Sequence, residues 1–122
     1  MKNAGRYAAW LRGHRAETLC CWWLRLKGYR VLERRVRTPL GEIDILARRG
    51  RVLAVIEVKQ RPTADLANEA VSPRQRHRLA RAGRWILSGR PEFARLNLRY
   101  DAMLVSPWRW PRHLPGAWAE GG

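Results

Sequence analysis

Two stretches of this chain alternate like β-strands, yet they carry charge where a sheet normally buries aliphatic side chains. The first is Gly41-Glu42-Ile43-Asp44-Ile45-Leu46-Ala47. The second is Arg51-Val52-Leu53-Ala54-Val55-Ile56-Glu57-Val58-Lys59-Gln60-Arg61. Successive side chains of a strand point to opposite faces. Glu42 and Asp44 therefore share a face, opposite Ile43 and Ile45. Leu53, Val55, Glu57, Lys59 and Arg61 share a face, opposite Ala54, Ile56 and Val58. Apolar residues on both faces predict a central strand covered on both sides. Arg48-Arg49-Gly50-Arg51 reads as a turn, so the two strands are expected to pair antiparallel. Where their acidic faces coincide, Asp44 meets Glu57.

The remaining elements follow from the same patterning. Ala16, Leu19, Cys20, Trp23 and Leu24 recur at helical spacing, which predicts a helix over about residues 6–27 stopped by Gly28. Residues 29–37 read as a first strand, and Thr38-Pro39-Leu40-Gly41 as the turn into the second. A loop runs from Pro62 to about Ser72, and Pro73 opens a second helix that ends at Ser88-Gly89. Residues 97–105 read as a fourth strand. The folded domain is expected over residues 1–105, and residues 106–122, rich in Pro, Gly and Trp, as a poorly structured tail. There is no internal repeat.

Charge turns this pattern toward chemistry. The chain has 122 residues and a formal net charge of +15, with a pI near 11.6, which implies a polyanionic partner. Only ten residues are acidic, so the closeness of Glu42, Asp44 and Glu57 is not what dilution would produce. Buried carboxylates are costly unless they are paired or bind metal. Asp44 and Glu57 suit Mg²⁺ or Mn²⁺, hard cations that take one or two carboxylates, waters and phosphate oxygens. Lys59 would then hold an attacking water or stabilise charge on the phosphate. The competing reading is an ion pair between Lys59 and Asp44 or Glu57. Glu17 lies nearly in line with Leu24 on the first helix. It either approaches the sheet as a third carboxylate or pairs with Arg12 or Arg15.

The second helix carries Arg74, Arg78, Arg81 and Trp85 on one stripe, opposite Leu79, Ala82 and Ile86. Arginines neutralise phosphates and an exposed Trp stacks on a base; the alternative is a solvated helix face. Arg37, Arg61, Arg74, Arg78, Arg81 and Trp85 are the candidate nucleic-acid contacts. Trp108-Arg109-Trp110-Pro111-Arg112 offers a similar mixture, or an apolar flap over the domain. Cys20 and Cys21 are adjacent and cannot staple distant segments, which suits a reducing cytoplasm. No segment is long and apolar enough to span a membrane. The basic start, residues 1–15, lacks the apolar stretch of a secretory signal.

The fragments Gly41-Glu42-Ile43-Asp44, Ile56-Glu57-Val58-Lys59-Gln60-Arg61 and Arg99-Tyr100-Asp101 resemble the YraN-type family of uncharacterised bacterial proteins. The resemblance runs from about Gly5 to Val105 and includes Ala16-Glu17 and Gly28-Tyr29. That family belongs by fold to the PD-(D/E)xK nucleases, alongside restriction enzymes and archaeal Holliday-junction resolvases. The resemblance implies a restriction-endonuclease-like αβββαβ core, a mixed sheet flanked by helices. It implies Asp44 and Glu57 as metal ligands, Lys59 as assistant to the water, and Glu17 completing the site from the first helix. Arg61 matches a basic position after the lysine; Arg99 and Asp101 match a last-strand segment without an assigned role. Glu33-Arg34-Arg35-Val36-Arg37 departs from relatives that carry an Asn and an aromatic residue there. The helix after the sheet offers Arg74 or Arg78 where a lysine is usual. The expectation is thus an Mg²⁺-dependent endonuclease acting on DNA rather than RNA, on a branched or structured substrate, with a homodimer as the assembly that such cutting, which calls for two active sites, would use. The alternatives are a non-catalytic nucleic-acid-binding module of the same fold and a basic RNA-associated protein.

Overall fold

The computed structural model describes residues 2–61 and 71–118, with side chains described from Gly13 onward. Helix α1 spans Lys2–Leu26. Strands β1 (Arg30–Thr38), β2 (Gly41–Arg49) and β3 (Val52–Gln60) follow as a meander. Helix α2 (Pro73–Gly89) leads through one 3₁₀ turn (Pro91–Phe93) to β4 (Asn97–Val105) and β5 (Arg112–Trp118). The five strands form one sheet in chain order. Its pairs are antiparallel except β3 with β4, which run parallel. A parallel pair needs a crossover connection, and α2 supplies it. The protein is therefore α/β, a mixed sheet flanked by two helices.

Local chemistry sets the helix ends. At the end of α1, Gly28 takes φ 87°. The Gly28 N–H donates to the Arg25 carbonyl (3.1 Å) and the Tyr29 N–H to the Leu24 carbonyl (2.9 Å). This paired closure needs a left-handed residue, which glycine adopts without a β-carbon clash. At the start of α2, the Ser72 hydroxyl accepts the Gln75 N–H while the Gln75 side chain accepts the Ser72 N–H, and Pro73 fills the first turn. That reciprocal cap satisfies two otherwise orphaned donors.

The sheet is covered on both sides. Leu79, Ala82 and Ile86 of α2 pack on Leu46, Leu53, Val55 and Tyr100. Cys20, Cys21 and Leu24 of α1 pack on Ile45, Ala47, Ala54, Ile56 and Met103. Gly83 lets α2 approach closely: a β-carbon there would lie 3.1 Å from the Tyr100 ring and 3.2 Å from Val55. Among the described residues, no helix is long and apolar enough to cross a membrane.

The segment read as a poorly structured tail contains a strand, β5. Its Pro115 and Gly116 suggest irregular chain, but an edge strand tolerates both, since one side of its backbone needs no ladder partner. Two anchors hold it. Trp118 stacks on Tyr100 at 5.8 Å within the α2-side core. On the other side Asp101, wholly buried, accepts the Gly116 N–H at 2.9 Å and contacts His113 Nε2 at 2.8 Å. Arg99 donates to both Asp101 carboxylate oxygens (2.8 and 2.7 Å) and also to the Tyr29 hydroxyl. Lys27 Nζ sits 2.6 Å from His113 Nδ1. Lysine can only donate, so Nδ1 accepts and Nε2 carries the hydrogen given to Asp101. Burial alone would raise the Asp101 pKa, but the bonds from Arg99, His113 and Gly116 outweigh it and hold the carboxyl below its usual range.

All four contacts on Asp101 are donors, so an amide in its place would oppose some of them. Asp101→Asn should cost roughly 3–5 kcal/mol, the scale for stranding one member of a buried charge pair. Because the folded pKa is depressed, the wild-type contribution is complete above the ordinary carboxylate value near 4 and is lost as pH falls below it. Denaturant unfolding from pH 7 to pH 3 should show the gap between the two proteins narrowing on acidification; a constant gap would mean that the charge of Asp101 does not hold β5.

Candidate carboxylate site

The site is made where β2 and β3 separate. Their paired residues run from Arg49–Val52 to Ile45–Ile56 and end there. On its other edge β3 stays paired with β4 as far as Gln60–Val105. Glu57, Val58 and Lys59 are thus held straight by β4 while their β2 side is open. The Val58 N–H donates to Asp44 Oδ2 at 2.8 Å, so a side chain takes the hydrogen bond that a strand backbone would otherwise accept.

The same point breaks the alternation expected from sequence. Ile43 packs on the α2 side and Ile45 on the α1 side, so they do not share a face. Arg35 lies opposite Asp44, between the Arg34–Ile45 and Val36–Ile43 pairs, and takes φ 51°, a conformation uncommon for a non-glycine residue. The local twist brings both Arg34 and Arg35 onto Glu17 of α1, at 3.0 and 3.3 Å.

A cavity of about 340 Å³ opens here, bordered by Glu17, Arg35, Glu42, Asp44, Lys59 and Gln60. Asp44 and Glu57 meet as their residue patterns predict, their side chains in hydrogen-bonding contact. The Asp44 pKa is pushed up to about 7, first by burial and then by the Glu57 charge, against the opposing pull of the Val58 N–H. Lys59 Nζ is 3.1 Å from Glu57 Oε1, with only 19% and 12% of the two side chains exposed. The ion pair read as the competing explanation therefore exists, with Glu57 as its acid. Beneath the site the Cys20 thiol is pushed up to about 12 by burial, with Cys21, Asp44 and Glu17 adding to it; it is a packed, unreactive group.

Asp44 and Glu57 are the residues that could hold a metal. Among the described residues no group of three or more His, Cys, Asp or Glu side chains is arranged for one. Glu17 borders the cavity, but its carboxylate is taken up by two guanidinium groups. Two touching carboxylates, one with a raised pKa, beside an open cavity fit a hard cation that keeps several waters. They do not fit a closed four-ligand zinc site.

The other candidate residues are distributed differently. Arg37 is exposed on β1 opposite Glu42. Arg61 follows β3, its N–H bonded to the Val105 carbonyl at 2.9 Å. Arg74, Arg78, Arg81 and Trp85 are exposed on α2, across the sheet from α1, and none of them lines the carboxylate cavity. Arg78 comes nearest: its stem lies over Gly41, where any β-carbon would meet it at 2.9 Å. Sequence reasoning missed Arg34 and Arg35 as partners of Glu17, His113 as a partner of Asp101, and Lys27 as the partner of His113. The one available signal was the Arg34-Arg35 doublet in a chain with few acids to pair.

Residues 16–105 match the model of the uncharacterised protein family UPF0102. The chain belongs to that family. It is 58% identical over 111 residues to a UPF0102 protein of Parvibaculum lavamentivorans, covering 91% of this chain and 84% of the relative. Another, from Chelativorans, is 51% identical over 114 residues, covering 93% and 92%. A third, from Caulobacter vibrioides, is 53% identical over 106 residues, covering 87% and 85%. The YraN-type resemblance seen in the GEID, IEVKQR and RYD fragments is thereby borne out at the level of the family.

The raised Asp44 pKa has a direct consequence. An acid whose folded value lies above its unfolded value of about 4 penalises the fold when it ionises. Metal-free protein should therefore lose stability as pH rises from about 4 to about 7. Asp44→Asn should flatten that decline and melt at the same or a higher temperature at pH 7.5 in EDTA. Mg²⁺ or Mn²⁺ should raise the wild-type melting temperature, as a ligand of the folded state must, and raise that of the variant much less. A sharply destabilised variant, with wild type indifferent to metal, would make Asp44 a purely structural residue.

Proposed function

We propose that this chain is a divalent-cation-dependent endonuclease of the PD-(D/E)xK type, acting on DNA. One observation carries the reading: Asp44, which borders a cavity with Lys59, touches Glu57, and Lys59 lies 3.1 Å from Glu57, in a chain of net charge +15. The Asp44, Glu57 and Lys59 pattern, the mixed sheet and the two flanking helices all agree with a restriction-endonuclease-like core.

Asp44 and Glu57 would hold Mg²⁺ or Mn²⁺. Such a cation supplies a water of lowered pKa and neutralises charge on the phosphate. The protein's own groups do the rest. The Val58 N–H orients the Asp44 carboxylate toward the cavity. Lys59, held by Glu57, presents a charged donor that can position the attacking water or stabilise the phosphate oxygens as they gain charge. Arg35, beside the cavity, pairs with Glu17 at 3.3 Å. Arg61 and the α2 arginines neutralise flanking phosphates and hold the duplex in register.

The non-catalytic alternative draws on a specific feature: Lys59 already balances Glu57, and Arg34 and Arg35 balance Glu17, so those two acids need no cation. Incubation of purified protein with a branched DNA, a linear duplex and an RNA, with Mg²⁺ or EDTA, separates the readings. Cleavage of branched DNA only with Mg²⁺ supports the nuclease; tight binding of DNA without cleavage supports the binding module; a preference for RNA supports neither.

Lys59→Ala should lower the cleavage rate by roughly a hundredfold or more while DNA binding persists, the scale for one preorganised charge. Normal cleavage by that variant would assign the activity to a contaminant. For binding, about six phosphate contacts should reduce DNA affinity about a thousandfold between about 50 and 200 mM salt. Replacing Arg74, Arg78 and Arg81 by Ala should flatten that dependence, and an unchanged slope would remove α2 from the interface.

A further inference from the structure

The carboxylate cavity does not end at Lys59. It shares Gln60 with a neighbouring cavity of about 470 Å³ that runs between Arg15 and Leu19 of α1 and the ends of β3 and β4. That cavity shares Arg61 and Ser106 with a third, of about 420 Å³, lined by Trp108, Arg109, Trp110 and Arg112. The three cavities thus adjoin in series, a track from Asp44 to the tryptophans. Among the described residues, neither the second nor the third cavity is lined by an acid, while Arg15, Arg61, Arg109 and Arg112 border them.

The tryptophan end is built to present aromatic faces. Trp108 is fully exposed at 102% and Trp110 is 68% exposed. Trp110 is fixed from behind by stacking on Trp23, with ring centroids 5.3 Å apart and planes inclined by 24°. Trp108 takes φ 62°, an outlier for a bulky residue. A strained residue with no packed side chain contributes nothing to the core; strain of this kind is a feature of ligand-binding segments. Exposed indoles between arginines match the stacking platform plus phosphate contacts that hold single strands, whose bases offer the faces a duplex keeps stacked internally.

We propose that this cavity binds an unpaired strand of DNA, its bases on Trp108 and Trp110 and its phosphates on Arg61, Arg109 and Arg112, and that the track delivers this strand to Asp44 and Glu57. The proposal rests on the DNA reading of the carboxylate site and adds a substrate class to it: DNA with a single-stranded segment beside the cleaved bond, such as a flap or a splayed arm. β5 then has a role beyond closing the sheet, because Arg112 begins it and the Trp108–Trp110 loop is tied down by the strand that follows.

The test is binding, measured in EDTA so that no cleavage intervenes. Fluorescence anisotropy would follow a labelled oligothymidylate, the matching blunt duplex and the matching oligouridylate. Trp108→Ala should weaken oligothymidylate binding about tenfold, change duplex binding less than twofold, and leave the melting temperature unaltered because the Trp108 side chain is fully exposed. Trp108→Phe should recover much of the loss, as a smaller stacking ring must, and Arg109→Ala should flatten the salt dependence for the single strand. An undiminished single-strand affinity in Trp108→Ala, an equal loss for duplex, or tighter binding of the RNA than of the DNA would each overturn the proposal. The nuclease reading fails separately, through absent Mg²⁺-dependent cleavage, and that failure leaves the metal-free binding result intact.

Discussion

A single hydrogen bond, from the Val58 amide to the Asp44 carboxylate, is the constraint on which the site depends. A strand amide buried beside a sheet has to be satisfied. When β2 turns away from β3 after the Ile45–Ile56 pair, the amide of Val58 loses its natural backbone acceptor. The Asp44 side chain replaces it. The substitution lets the two strands separate while β3 stays aligned on β4, and the separation is the cavity. It also fixes the Asp44 carboxylate against Glu57, which is why an aspartate is carried at a position surrounded by Ile43, Ile45 and Val58.

The acids of this chain divide by what compensates them. Glu17 has Arg34 and Arg35; Glu57 has Lys59; Asp101 has Arg99 and His113. Asp44 is held by an amide and faces another carboxylate. Two aspartates on the strands either side of β3 consequently titrate in opposite directions. Asp101 is drawn down by its donors, and Asp44 is pushed up to about 7. A buried acid with its donors complete is a structural tie. A buried acid raised by a second carboxylate and bordering a cavity is a candidate functional group.

The basic surface is organised around this asymmetry. On the proposed reading, the arginines on α2 and those beside β3 and β5 make two kinds of contact with DNA. The exposed α2 stripe would meet the outside of a duplex. The track past Gln60 and Arg61, ending on indole faces, would hold a strand whose bases are unpaired.

Much of the molecule was legible in the residues alone. Alternation and the Arg48–Arg51 turn located β2 and β3 and made Asp44 and Glu57 meet, because strand pairing across a tight turn is a local property. Gly28 and Ser72-Pro73 marked helix ends for equally local reasons, and the outward stripe of Arg74, Arg78, Arg81 and Trp85 followed from helical periodicity. Tertiary structure decided the rest. Strict alternation put Ile43 and Ile45 on one face, whereas the twist at Arg35 and Asp44 separates them, and there both Arg34 and Arg35 meet Glu17 of the distant α1. Residues 112–118 looked irregular because Pro115 and Gly116 weaken a strand locally; they pair because Asp101, buried in β4, needs donors from a distant segment. Local pattern reports backbone preference and face. Which charge meets which, and which amide loses its partner, is determined only when remote segments are packed together.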